Sequence, residues 1–413
     1  AWPQSKSTNL NLSHMECRNL LTANIYSACL MKNTMIKVPF SVPSRTSDDI
    51  DLISSAIESG EISGDGPFTK KAQLLLKKQI NNSGKVLLTT SCTHALEMAA
   101  ILLNISSGDE VIVPSFTFVS SALAFQMRGA KIVFADINEK TLNIDESKLE
   151  NLITQRTRAI VVVHYGGVAC EMDALNTISS KYNIDIIEDN AHGLYGYYKD
   201  RALGSIGSIA AQSFHGTKNI SCGEGGALIL NKETFFDRAE IIREKGTNRS
   251  RFIRGQVDKY TWVDEGSSYV MSDMLAALLY SQLKFSETIQ NSRKRVWETY
   301  NRELHKWAQN FNIFTPHIPE YCEHTYHLFY LIFPNKDLRD QFIDFSAEHA
   351  IQAVSHYQPL HLSHFVKKTE KHKLDTCPVS TRISECLARL PLYTSMSEDQ
   401  IDHVIECVQK FSI

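Results

Sequence analysis

A doubly wound α/β domain followed by a smaller α+β unit is the fold class this sequence predicts, on three observations. From about Lys85 to Asn231, short apolar runs alternate with amphipathic stretches, the pattern of βαβ units around a largely parallel sheet. A helical pattern then runs from Ser272 to roughly Glu303, as a connector between two domains would. Beyond it, one strand-like run and two helix-like runs make a second, smaller α+β unit.

The strand candidates, in order, are KVLLT, DEVIV, KIVFA, RAIVVVH, IDIIE, SIAAQSF and GALILN. THALEMAAILLN from Thr93 and EMDALNTISSKYN from Glu171 space their apolar residues as helices do, each after a polar start. In the second unit, YHLFYLIF is strand-like, while KDLRDQFIDFSAEHA and SEDQIDHVIECVQKF are helix-like. These elements divide the chain into a large domain over 35–285 and a small one over 286–413. Residues 1–34 have no signal-peptide organisation and are expected to be an extension outside the folded core, which opens at Met35.

Bulk properties narrow the function classes. With 43% hydrophobic and 22% charged residues the chain is an ordinary globular protein. A net charge of -3 without a block of like charges carries no footprint for nucleic acid or an anionic membrane surface. Nine scattered cysteines with no CxxC pair indicate neither a disulfide framework nor a zinc ribbon, and a reducing cytoplasm is the expected compartment.

Ligands of doubly wound sheets sit beyond the carboxyl ends of the strands, which directs attention to four loops. In SCTHAL, Ser91, Cys92 and Thr93 open a helix whose free N–H groups favour a phosphate, although a plain helix cap reads the same way. In EDNAHG, Asp189 stands at the mouth of a strand, where a carboxylate can hold a pyridine nitrogen protonated or merely cap the next turn. In SFHGTKN, Lys218 lies among small residues; a desolvated amine there is a competent nucleophile, whereas most lysines are simply solvated. The fourth loop, PSFTFV, offers Phe118, by itself an ordinary core aromatic.

PSFTFV, EDNAH, SFHGTKN with GEGGALI, and SSYVMSDMLAAL resemble, in order and spacing, the DegT/DnrJ/EryC/StrS family of sugar aminotransferases, from about Val38 to the C-terminus. The resemblance implies a pyridoxal-phosphate-dependent transferase of fold type I, aspartate aminotransferase-like, acting as a homodimer with shared active sites. It makes Lys218 the Schiff-base lysine and Asp189 the partner of the pyridine nitrogen. Phe118 would stack on the cofactor ring, His192 would stand beside its phenolic oxygen, and Cys92, Thr93 and Ser213 would surround its phosphate. Where many relatives have Asn-Tyr-Arg-Met reaching the phosphate from the other subunit, this chain has Ser268, Tyr269, Val270 and Met271, so Ser268 takes the asparagine's place.

GDGPFTKK, VHYGGVACEMDAL, RALGSIG and HYQPLH are similar to the transaminases that form dTDP-4-amino-4,6-dideoxygalactose. That resemblance implies dTDP-4-keto-6-deoxyglucose as acceptor and glutamate as donor. The subgroup pattern has Glu and Gln where Gly216 and His192 stand, which leaves open a sister enzyme giving the glucose-configured amine. Arg249 and Arg254 in the basic REKGTNRSRFIRG, with His356 and Tyr357, are the candidates for substrate contact. His356, His361 and His364 fit no metal-ligand spacing, and no metal is expected. Two rival readings are a noncatalytic binder and a sugar dehydratase of the same family; the dehydratases carry His at the lysine position, and retention of Lys218 speaks against both.

Overall fold

The structure is a computed structural model, and it describes residues 38–80, 84–369 and 376–412. The expected extension, and Met35 with it, lie outside the described residues. The chain opens with helices α1 (Asp49–Glu58) and α2 (Pro67–Gln79), then β1 (Lys85–Thr89), α3 (Cys92–Leu102), β2 (Glu110–Pro114), α4 (Ser120–Gln126) and β3 (Lys131–Ala135). β4 (Thr157–Val163), α5 (Met172–Tyr182) and β5 (Asp185–Asp189) follow, then the short β6 (Tyr197–Tyr198) and β7 (Arg201–Ala202), and the longer β8 (Ile209–Ser213) and β9 (Gly226–Leu230). Helices α6 (Phe236–Arg243), α7 (Arg249–Ile253), α8 (Asp273–Lys284) and α9 (Ser286–Asn310) lead into the second unit. That unit holds β10 (Cys322–Glu323), β11 (Phe329–Ile332), α10 (Lys336–Glu348), β12 (Val354–Ser355), α11 (His364–Thr369), α12 (Pro378–Cys386), β13 (Leu387–Leu390) and α13 (Glu398–Lys410).

The seven predicted strands form one sheet in the order β1-β9-β8-β5-β4-β2-β3, in which only β9 runs against the rest. Its strands bury both faces, because successive side chains point to opposite sides and each side meets helices. Val111, Val113, Val161, Ile187 and Leu228 pack on one face, while Ile112, Ile160, Val162, Ile186 and Ile229 pack on the other. That double burial is why the runs read as continuously apolar. The helical pattern from Ser272 is two helices instead of one, broken at Phe285 (φ -101°, ψ 15°), and the second continues to Asn310. No Gly or Pro marks the break, so periodicity alone ran through it.

The second unit builds β11, β13 and β12 into an antiparallel sheet covered by α9, α10 and α13. The start of the described chain joins it: Val38 bridges Ile351 and packs in the same apolar cluster as Trp297 and Phe329.

GDGPFTKK and SSYVMSDMLAAL meet through a single buried carboxylate. Asp273, at the start of α8, accepts from the backbone N–H of Phe68 (3.0 Å) and Thr69 (2.7 Å) and from the Thr69 hydroxyl (2.8 Å), capping α2 from a distance in sequence. A Cβ on Gly66 would stand 2.5 Å from the Asp273 carboxyl carbon, so only glycine fits that corner. Losing these bonds strands buried N–H donors; Asp273→Ala is expected to cost about 2–4 kcal/mol in urea denaturation. A change within about 0.5 kcal/mol would show that water replaces the cap.

Candidate active site

The four loops singled out in the sequence converge at the carboxyl ends of β1, β2, β5 and β8. They enclose a cavity of about 490 Å³ whose lining includes Cys92, Thr93, Phe118, Asp189, His192, Ser213 and Lys218. Two larger clefts, of about 950 and 800 Å³, run beside α9, but neither touches Lys218, Asp189 or the start of α3. Chemistry, not size, marks the smaller one.

Lys218 follows β8 in a tight loop held by Gly216 N–H to Gly223 O (2.8 Å) and Lys218 N–H to His215 O (2.9 Å). Its neighbour Asn219 is anchored on both sides, donating to Gln290 Oε1 (3.0 Å) and Thr325 O (2.8 Å) and accepting from His327 Nδ1 (2.8 Å). The lysine keeps some solvent contact as a residue, yet its ammonium is enclosed by protein. Desolvation pulls it down to about 8, partly offset by Cys92 and Asp189.

Asp189 ends β5 and is buried; Oδ2 accepts from the Ser121 hydroxyl at 2.6 Å and Oδ1 from the Ala191 N–H at 3.2 Å. Ser121 is in turn 2.8 Å from the Thr117 hydroxyl. Burial raises the Asp189 carboxyl, and the Ser121 bond opposes that shift. A carboxylate so placed gains most from a cation brought beside it. The preceding Glu188 points the other way on the strand, where its oxygens take His164 Nε2 (2.9 Å) and the N–H groups of Gly204, Ile206 and Gly207. Burial alone would raise Glu188, but His164 and these N–H groups outweigh it. Of the acidic pair, one is structural and one faces the cavity.

At the start of α3, Ser91 Oγ accepts from His94 N–H (3.1 Å), so the serine does cap the helix. The first N–H groups, on Cys92 and Thr93, have no acceptor within the helix and suit an anion. A Cβ on Gly226 would lie 2.3 Å from the Ser91 carbonyl carbon and 2.4 Å from Cys92 N; glycine lets β9 pack directly beneath this turn. The Thr93 hydroxyl is already bonded to Ser120 Oγ (2.7 Å), and burial raises the Cys92 thiol well above its ordinary range, so it stays neutral.

His192 is buried and stacks on His327 with ring centroids 4.2 Å apart. Its Nδ1 accepts from Gly166 N–H (3.2 Å), which puts the proton of the neutral ring on Nε2. Burial lowers both histidines well below their usual range and keeps them neutral. His192 therefore presents an N–H donor, the function that the amide of a glutamine would supply. Phe118 is 57% exposed, an unusual state for an aromatic beside a cavity, and its ring lies 6.4 Å from Tyr357.

The substrate candidates divide. His356 and Tyr357 line the cavity, and His356 bonds Tyr165 through Nδ1 (2.9 Å). Arg249 and Arg254 do not line it; they pair with Glu244 (3.3 Å) and Glu240 (2.8 Å). Ser268 is also outside the cavity of its own chain, exposed and bridged to Glu244. His361 bonds Ser115 (2.5 Å), a structural contact. Sequence reasoning missed His327 and Arg389, both in the cavity wall. Their only signal was a polar residue within an apolar run, in YHLFYLIF and CLARLPLY.

The residues present fit pyridoxal phosphate. The cavity lies within the roughly 300–1,000 Å³ typical of small-molecule sites. It offers a lowered lysine, a buried carboxylate short of a cation, a helix N-terminus for a phosphate and an exposed ring for stacking.

Comparison with known proteins agrees. The model of the DegT/DnrJ/EryC1/StrS aminotransferase family matches residues 43–409. The spore coat polysaccharide biosynthesis protein SpsC of Bacillus subtilis is 34% identical over 379 residues, 90% of this chain and 96% of that protein. Among solved structures, the putative sugar aminotransferase Spr1654 from Streptococcus pneumoniae, in its PMP form, is 27% identical with a TM-score of 0.83, covering 90% of this chain and 98% of its own. Its PLP form is equally similar, with a TM-score of 0.82. The aminotransferase DesV of S. venezuelae, solved with a ketimine intermediate, is 26% identical with a TM-score of 0.80, covering 90% and 98%.

Proposed function

Since the chain belongs to the DegT/DnrJ/EryC1/StrS aminotransferase family and is thereby a PLP-dependent sugar aminotransferase, we propose that it aminates C4 of dTDP-4-keto-6-deoxyglucose. The product is dTDP-4-amino-4,6-dideoxygalactose and the donor glutamate. The observation that carries the catalytic reading is the meeting of Lys218 and Asp189 in one cavity with the start of α3. The choice of sugar rests on the subgroup-like segments, because Lys218 and Asp189 would serve any keto sugar.

Pyridoxal phosphate supplies an aldehyde that carries the amino group and a ring that accepts electrons. Lys218 Nζ would hold the cofactor and serve as the base that takes and returns the substrate's proton. Asp189 would keep the pyridine nitrogen protonated, and His192 Nε2–H would be the donor for the phenolic oxygen. Phe118 would cover the ring, while the N–H groups of Cys92 and Thr93, with Ser213, would hold the phosphate.

A homodimer supports the residues that face away from this chain's own cavity. Val119, next to Phe118, and Phe252, Ile253, Tyr260 and Trp262, close in sequence to Arg249 and Arg254, are exposed apolar side chains of the kind a second copy would cover. In that arrangement Ser268 and the arginines serve the partner's site. The seven described cysteines are free thiols, in keeping with a reducing cytoplasm, and no helix among the described residues is long and apolar enough to cross a membrane.

Incubating the protein with dTDP-4-keto-6-deoxyglucose and glutamate is expected to give an axial C4 amine by NMR. An equatorial amine identifies the sister enzyme instead, and amination at C3 overturns the subgroup assignment. One observation favours keeping the sister enzyme in view: a Cβ at Gly216 would meet only Gly223 O, at 3.9 Å. The subgroup's glutamate would fit there, and this chain does without it.

A further inference from the structure

The cavity wall contains a cation that no carboxylate among the described residues neutralises. Arg389, on β13, lines the same cavity as Lys218. Its Nη1 donates to His356 Nε2 at 3.3 Å, and its guanidinium lies 4.6 Å from the Phe40 ring centroid. Its Nε is buried without an acceptor, and among the described residues no carboxylate pairs with it. Because His356 accepts from Arg389, its own proton sits on Nδ1 and goes to Tyr165, so the partner is a neutral ring. Asp189, the buried carboxylate in the same cavity, bonds Ser121 and the Ala191 N–H and makes no ion pair with Arg389. A guanidinium held in protein by neutral groups alone is costly unless a ligand brings the opposite charge.

We propose that Arg389 is the anchor for the α-carboxylate of the amino donor, a positioning and specificity residue for the first half-reaction. This rests on the transaminase reading above. The geometry separates the anions of the reaction. The cofactor phosphate belongs at the start of α3, on another element. The diphosphate of the sugar hangs from C1, across the ring from C4, and so stands the width of the sugar away from the reacting carbon. The donor's α-carboxylate is one bond from the carbon whose proton Lys218 takes, so its anchor must share that small cavity with Lys218. Arg389 is the unneutralised cation that does.

The test compares wild-type holoenzyme with Arg389→Gln and Arg389→Lys. For wild type, glutamate is expected to be favoured over 4-aminobutyrate, which lacks the α-carboxylate, by at least about 100-fold in kcat/KM. In Arg389→Gln that preference collapses to less than about tenfold, while the keto-sugar half-reaction of the PMP-loaded protein falls at least about tenfold less than the glutamate one. Calorimetric affinity for 2-methylglutamate, which has no α-proton to lose, drops by about 30-fold or more in Arg389→Gln and less in Arg389→Lys. The proposal is overturned if the preference for glutamate survives, or if both half-reactions fall together. Should wild type aminate nothing while Arg389→Gln still loses 2-methylglutamate, the transaminase reading fails and the anchor stands. Circular dichroism confirms folding, and Arg389→Lys serves if Arg389→Gln does not fold.

Discussion

Lys218→Ala protein is expected to be colourless after reconstitution and to lose transamination by roughly 10⁴-fold or more, because the proposed mechanism makes one side chain both the covalent attachment and the proton carrier. Borohydride treatment of wild type should fix the cofactor mass on the peptide containing Lys218, read by mass spectrometry. The cofactor mass on another lysine would sink the mechanism. The same residue gives a pH prediction. Burial disfavours the ammonium and sets it near 8, so about a quarter of Nζ is neutral at pH 7.5. An unshifted lysine would leave about one in a thousand neutral. Capture of pyridoxal phosphate by the protein should therefore accelerate as pH rises through about 8 and level off above it. A rate still climbing steadily between pH 9 and 10.5 would place the amine in water.

The strands of the large sheet were legible because burial on both faces makes them unbroken apolar runs bounded by polar loops. Asp189 and Lys218 stood out for a related reason: Asp189 closes such a run and Lys218 stands a few residues past the end of another, where a doubly wound sheet puts its ligands. Other features depended on contacts that sequence spacing does not carry. α4 is only seven residues long, too short for helical periodicity, yet it supplies the Ser121 that holds Asp189. Arg389 and His327 come from β11's neighbourhood in the small unit, more than 100 residues from Lys218, and only the fold brings them to the cavity. Arg249, Arg254 and Ser268 read as site residues in sequence, and in a single chain they point elsewhere. Arg249 and Arg254 pair with Glu244 and Glu240, and a role for them in a site rests on the proposed second copy.

Asp189→Asn is expected to keep the fold and the attachment of cofactor to Lys218, and to lose about 10²–10³-fold in kcat. The side chain keeps its size, and an amide oxygen can still accept from the Ser121 hydroxyl, now 2.6 Å from Oδ2. What disappears is the charge. Burial raises the Asp189 carboxyl on its own, but a pyridinium beside it would restore the ionised form, and in return the carboxylate holds the ring cationic. An amide cannot make that exchange; the ring then loses its proton at neutral pH and becomes a poorer sink for the electrons released at the reacting carbon. The loss should lie in proton transfer and not in substrate affinity, so KM for either substrate stays within about threefold. A cofactor methylated on the ring nitrogen carries its positive charge permanently and should return at least a tenth of wild-type turnover to Asp189→Asn, a rescue that a merely structural role for Asp189 would not permit. Unchanged turnover in the variant, or no rescue by the methylated ring, would remove the carboxylate from the chemistry.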